Sequence, residues 1–193
     1  VNDRAGYWDP LAAVRASAGA RLLWKEAVTV LPPAETYLMG RWAERNWRNV
    51  PGPFYGGETD TCETGPEVAP RHVLCDENGQ EFVFRQPREP AEVDRVLFAA
   101  WNDPFRQYGM DGDRHWTTQS VRAWWRERAR LREWAVHFAT APSGSHHFRH
   151  GLVDLLSYLD GDLEAHLRGY LFWLEEGRAP TDSETLPDLD RAD

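Results

Sequence analysis

The spacing of apolar positions changes period several times along the chain, and each change marks an element. Asp9-Pro10 sets a capping carboxylate before a proline at the first helical position, and Leu11, Val14, Ala18, Leu22 and Lys25 follow at helical spacing. The run Glu26–Leu31 is β-branched and also fits a short strand, which Pro32-Pro33 ends. From Pro33 to about Trp47, the positions Tyr37, Leu38, Trp42 and Trp47 lie near one face, predicting a second helix. Between Asn49 and Arg71 the pattern gives way to Pro, Gly, Thr and acids, the composition of a loop with at most one short strand at Phe54–Thr59. The stretch RHVLCDENGQEFVFRQ then returns to period two. Asn78-Gly79 tolerates positive φ and predicts a hairpin turn, with Phe82 and Phe84 on one face and Glu81, Val83 and Arg85 on the other.

Helical periodicity resumes at Pro90 and runs to about Trp101, with Val93, Val96, Leu97 and Ala100 inward. A second aromatic, Gly- and Asp-rich loop, Asn102–Trp116, precedes the longest helix. That helix is capped by Thr117 or Thr118, ends near Ala139, and carries the stripe Val121, Trp124 or Trp125, Leu131, Trp134 or Ala135, and Phe138. Pro142–Ser145 breaks the chain, His146–Leu159 and Asp162–Glu176 read as two further helices, and Gly177 is a C-terminal stop. The sum is an α+β, mainly helical single domain of about six helices, with a small two- or three-stranded antiparallel sheet around the Val73–Arg85 hairpin. Residues 1–178 are expected to be globular, and 179–193 an acidic, disordered tail.

Composition narrows the class. A chain of 193 residues buries enough surface to fold without disulfides or metal. Hydrophobic content of 41% with a mean hydropathy of -0.64 suits a soluble globular protein, and no apolar run approaches the roughly 20 residues of a membrane span. The opening VNDRAGYWDP lacks the basic-then-apolar layout of a signal peptide, so the expected location is cytoplasmic. Cys62 and Cys75 form no CxxC motif and are expected as free thiols. The net charge is -9, and seven acids against two arginines after Leu174 put -5 of it in the last stretch. Such a balance argues against nucleic acid or a membrane as partner.

Candidate chemistry gathers in the two loops. In GPFYGGETDTC, Tyr55, Glu58 and Asp60 could surround a pocket, while Gly56 and Gly57 let a ligand approach the backbone. In YGMDGDRHW, His115 stands beside acids and Trp116, which suits a general acid or base with Asp113 or Asp60 as its orienting carboxylate. An arginine, with Arg85 the choice from the hairpin, would clamp an anion. His146 and His150 share a helix face, but the Glu of an HExxH motif is missing and Asp154 is two turns from His146, so no metal is expected. His72, Cys75 and Cys62 fail as a zinc set because strand positions three apart face opposite ways. Asp111 and Asp113 lack the spacing of a calcium loop. Ten tryptophans with arginine neighbours, among them Arg45, Arg48, Arg126 and Arg128, could stack and grip a phosphate or carboxylate, or simply pack with arginines covering the rings.

No P-loop, GxGxxG, GxSxG or HExxH motif is present and no cofactor is expected. The leading expectation is a non-catalytic binding protein that recognises another protein, of the immunity or inhibitor type, or a small anionic ligand. The alternative is a small-molecule enzyme with His115, Asp113 and Asp60 as its acid-base set and Tyr55, Glu58, Trp116 and Arg85 around the ligand.

Overall fold

A computed structural model describes residues 7–16, 19–24, 27–59, 63–140 and 146–191, without the side chains of Trp24, His146 and His147. Asp60 and Cys62, two of the residues singled out above, fall outside this set, as does the side chain of His146. Among the described residues the chain is mainly helical, with six α-helices and three separate two-stranded antiparallel sheets.

Helix α1 (Pro10–Ala16) starts where the Asp9 carboxylate accepts hydrogen bonds from the amides of Leu11 and Ala12, at 2.9 and 3.3 Å. It stops early. Residues expected to continue it form strand β1 (Arg21–Trp24), which pairs with β2 (Ala27–Val30), Leu23 opposite Val28. The expected helix over 33–47 is also replaced, by two 3-10 turns at Ala34–Thr36 and Trp42–Glu44. The cause is tertiary. The Gly40 amide donates to the Tyr108 carbonyl at 2.8 Å, and a Cβ at Gly40 would stand 2.4 Å from the Gln107 carbonyl oxygen. That docking holds the chain extended where its periodicity alone would coil it.

Strand β3 (Tyr55–Gly56) and the short helix α2 (Thr64–Val68) interrupt the first loop. The hairpin forms as β4 (Val73–Cys75) and β5 (Glu81–Val83), with Gly79 at a φ of 79° in its turn. Both of its faces are covered. Leu74, Phe82 and Phe84 join one core cluster, while Val73 and Val83 join the other. Helix α3 (Pro90–Asn102) packs Val93, Val96, Leu97 and Ala100 into the second cluster. Strand β6 (Tyr108–Gly109) follows, and then α4 (Thr118–Thr140), capped by reciprocal bonds between Thr117 and Ser120. Helices α5 (His146–Asp160) and α6 (Leu163–Glu176) complete the first cluster with α4, and Gly177 closes α6 at a φ of 68°.

The end of the chain packs against α4 and α6. Arg168 donates to the carbonyls of Leu186 and Pro187, Arg122 donates to that of Asp188, and the Trp125 indole donates to Asp190. Leu189 is buried in the first cluster. The segment is acidic, but its carbonyls supply acceptors for the buried Arg122 on α4 and the half-buried Arg168 on α6. None of the helices is long and apolar enough to cross a membrane, among the described residues.

Candidate functional site

The two loops meet because β3 pairs with β6, Tyr55 opposite Gly109 and Gly56 opposite Tyr108. Two side-chain amides do the stitching. Asn49 Oδ1 accepts from the amides of Gly56 and Val83 at 2.9 and 2.8 Å, while its Nδ2 donates to the carbonyls of Asn46 and Gly56. Gln86 clasps both the N–H and C=O of Phe54 and the Val50 carbonyl. The loop is thus ordered by buried polar groups that act as substitute strand partners.

Around this joint, Tyr55, Asp111 and His115 form a chain. The Tyr55 hydroxyl lies 2.7 Å from Asp111 Oδ1 and 2.9 Å from the Gly40 carbonyl, and His115 Nε2 donates to Asp111 Oδ2 at 3.0 Å. Burial pushes the Asp111 carboxyl up, but the hydrogen bonds from Tyr55 and His115 outweigh it and hold the group below its ordinary range. The His115 ring stacks on Trp42, with centroids 4.9 Å apart at 11°. Trp42 also meets Tyr55 and Trp116 edge-on, at 5.2 and 5.1 Å. The carboxylate beside His115 is therefore Asp111. Asp113 points elsewhere, accepting the Tyr170 hydroxyl at 2.7 Å, and burial raises it to about 6. Asp111 and Asp113 both line a cavity of about 650 Å³ between α1, residues 35–40 and Trp173, whose walls do not include His115.

A second space of similar size lies beyond Trp42. Residues 43–48, the hairpin turn and α4 enclose a cleft of about 660 Å³ lined by Glu58, Trp47, Trp134, Arg45, Arg48 and Arg130, among others. It adjoins a narrower recess of about 230 Å³ through Arg45, Trp47 and Arg130, and Trp116, Trp124 and Arg128 line that recess. The anchor is Arg48. Its guanidinium lies over the rings of Trp47 and Trp134 at 4.7 and 4.6 Å, reaches Asp76 at 3.0 Å, and takes both oxygens of Glu77 at 2.8 and 2.7 Å. Trp134 fixes Glu77 from the other side through its indole N–H, at 2.8 Å. Burial would raise Glu77, but its hydrogen bonds with its own backbone, Trp134 and Arg48 together keep it below the ordinary carboxylate range.

Other arginines in the cleft have no acid. Arg45 lies 4.0 Å over Trp42 and donates to the Trp42 carbonyl, and Arg130 lies 3.9 Å over Trp47. Neither makes an ion pair among the described residues. The indole N–H groups of Trp47, Trp116 and Trp124 likewise find no acceptor there.

The candidate residues from the sequence are thus divided. Trp116 and Glu58 line the two adjoining spaces, and Tyr55 and His115 sit behind them through Trp42. Arg85 is apart, lying over Tyr158 at 4.7 Å and Phe84 at 5.7 Å, outside the walls of either space. His166 is a core residue. Its Nε2 donates to the Pro51 carbonyl at 2.9 Å and burial lowers it to about 4, so the ring is neutral at physiological pH. No metal-binding group of His, Cys, Asp and Glu occurs among the described residues. Arg130 and Trp47 were not tied to a site by their spacing, although the surplus of tryptophan beside arginine was a signal pointing to them.

No protein-family model matches the chain, and no curated protein or solved structure shows similarity to it.

Proposed function

We propose that this chain is a non-catalytic binding protein that recognises a protein partner through the tryptophan and arginine cleft beside α4. One observation carries the reading. Trp47, Trp116 and Trp124, with Arg45 and Arg130, which pair with no acid among the described residues, line two adjoining spaces. Tryptophan and arginine are the residues most enriched among energetic anchors of protein interfaces. A lone arginine on a surface is ordinary, whereas stacked arginines that spend no charge on the fold keep it for a partner. The recess, with Arg45, Arg128 and Arg130 against Glu127 alone, is locally basic in a chain of overall charge -9, so the group it receives is acidic.

The test is affinity capture from the source cell with the wild-type chain, Trp124→Ala, Arg130→Glu and His115→Ala, after checking that all four melt alike. The wild type and His115→Ala should retain one stoichiometric partner. Trp124→Ala and Arg130→Glu should each lose about 2 kcal/mol of affinity, roughly thirtyfold. Retention of the partner by both cleft variants, or no partner on the wild type, removes the reading.

A second reading rests on the chain of Tyr55, Asp111 and His115. With the proton fixed on Nε2, Nδ1 of His115 is available as a base, and Asp111 reaches the 650 Å³ cavity. Under this enzyme reading His115→Ala abolishes turnover and leaves stability unchanged. The same variant therefore separates the two classes.

A further inference from the structure

The 230 Å³ recess is walled mainly by arginines and tryptophans. Its polar side chains are Arg45, Arg128, Arg130, Ser120 and Glu127, with Trp47, Trp116 and Trp124 as the aromatic walls. Three guanidiniums thus face one carboxylate in a protein that carries -9 overall. The local sign is the reverse of the whole. Ser120 is committed to the cap of α4, so the free polar groups are almost all N–H donors. Stacking adds direction. Arg45 lies over Trp42, Arg130 over Trp47 and Arg128 over Trp125, the last at 3.4 Å, so each guanidinium is held against a ring. Arg45 and Arg128 each spend one N–H on a carbonyl, of Trp42 and Trp125, and the remaining guanidinium N–H groups are left for an acceptor. The first turn of α4, which brings Ser120 to the recess, adds the positive end of a helix. The volume lies below the roughly 300 Å³ at which small-molecule sites begin, so it suits a group rather than a whole cofactor.

We infer that this recess is an oxyanion subsite, which takes a carboxylate or phosphate group presented by the partner. The inference rests on the binding reading above and gives that partner its chemistry. Burial already lowers the Arg45 guanidinium below its usual range with no carboxylate offsetting it, and a bound anion would reverse that cost.

The indole N–H groups report on it directly. The full chain, labelled with ¹⁵N, is titrated with sodium phosphate and separately with sodium acetate, with chloride holding ionic strength constant. The Nε1 signals of Trp47, Trp116 and Trp124 should shift saturably, while those of Trp125 and Trp134, already bonded to Asp190 and Glu77, stay in place. Arg130→Gln and Arg45→Gln should each weaken the anion roughly tenfold, the scale of a lost charge-assisted bond. If Arg45→Gln does not fold, the exposed Arg130 still serves. Tighter phosphate assigns the subsite to a phosphate group, and acetate of equal or greater affinity assigns it to a carboxylate. Uniform shifts across all the indoles, or saturation unchanged in the variants, overturns the inference. If the anions fail while the partner is still captured, the subsite falls and the binding reading stands. If both fail, both fall.

Discussion

Replacing Asp113 with asparagine should make the protein more stable at neutral pH. Asp113 is largely buried beside Tyr7, Asp9 and Arg15 from the N-terminal segment and Tyr170 from α6. Oδ1 accepts the Tyr170 hydroxyl, but Oδ2 is buried without a partner. Burial raises its carboxyl first, the Tyr170 bond opposes, Asp9 adds repulsion and Arg15 partly offsets it, leaving the group at about 6 rather than 3.8. A carboxyl raised on folding binds its proton more tightly in the native state. Its contribution therefore favours folding at low pH and is lost as pH rises through about 6. Moving from 3.8 to about 6 corresponds to about 3 kcal/mol against the folded state at pH 7. An unpaired amide N–H in the variant gives back about 1 kcal/mol, leaving a net gain of about 2 kcal/mol. In a domain of this size that is a rise of roughly 4–8 °C in melting temperature. Urea unfolding of both chains between pH 4 and 8 measures it. The gap should be wide at pH 7.5 and close towards pH 4. An Asp113→Asn chain no more stable than wild type at pH 7.5, or a gap of the same size at both ends, refutes the reasoning.

Arg48→Met should cost about 3–5 kcal/mol, because it leaves Asp76, whose side chain is 2% exposed, without its cation. A second substitution, Asp76→Asn, should recover part of the loss, and an unfolding free energy from urea titration that Arg48→Met changes by less than about 1 kcal/mol would show that Asn46 and the turn amides suffice. Leu189→Ala should cost about 2–3 kcal/mol in thermal or urea unfolding, since Leu189 is buried in the α4–α6 core; a change near zero would mean that the terminal segment is detached.

What the sequence disclosed about the fold depended on how local each determinant was. The hairpin at Asn78-Gly79 and the helices begun by Pro10, Pro90 and Thr117 were legible, because turn and cap chemistry act within a few residues. The 33–47 segment was not, because Gly40 meets Gln107 and Tyr108 from more than sixty residues away. Asn49 and Gln86 were invisible as organisers, since an amide in a loop has no spacing that reveals it will pair with backbone. Disorder was expected at the end of the chain because composition averages over acids. Composition does not register the buried Leu189 or the two arginines that donate to the carbonyls of this segment.

The cleft was hard to read from the sequence for a related reason. His115 drew attention because histidine titrates near neutrality, yet its ring lies flat on Trp42 with Nε2 bonded to Asp111, four residues back. The more informative residues, Arg45 and Arg130, looked like ordinary helix or loop charges. Their meaning comes from the surrounding excess. The chain has 31 acids against 22 bases, so any arginine needing a partner has acids to spare. Arg48, a few residues from Arg45, takes two of them. In such a chain an arginine that packs on an indole without an acid is not short of partners. Its pairing within the fold has been left unmade, which is why the cleft, rather than the histidine, carries the functional reading.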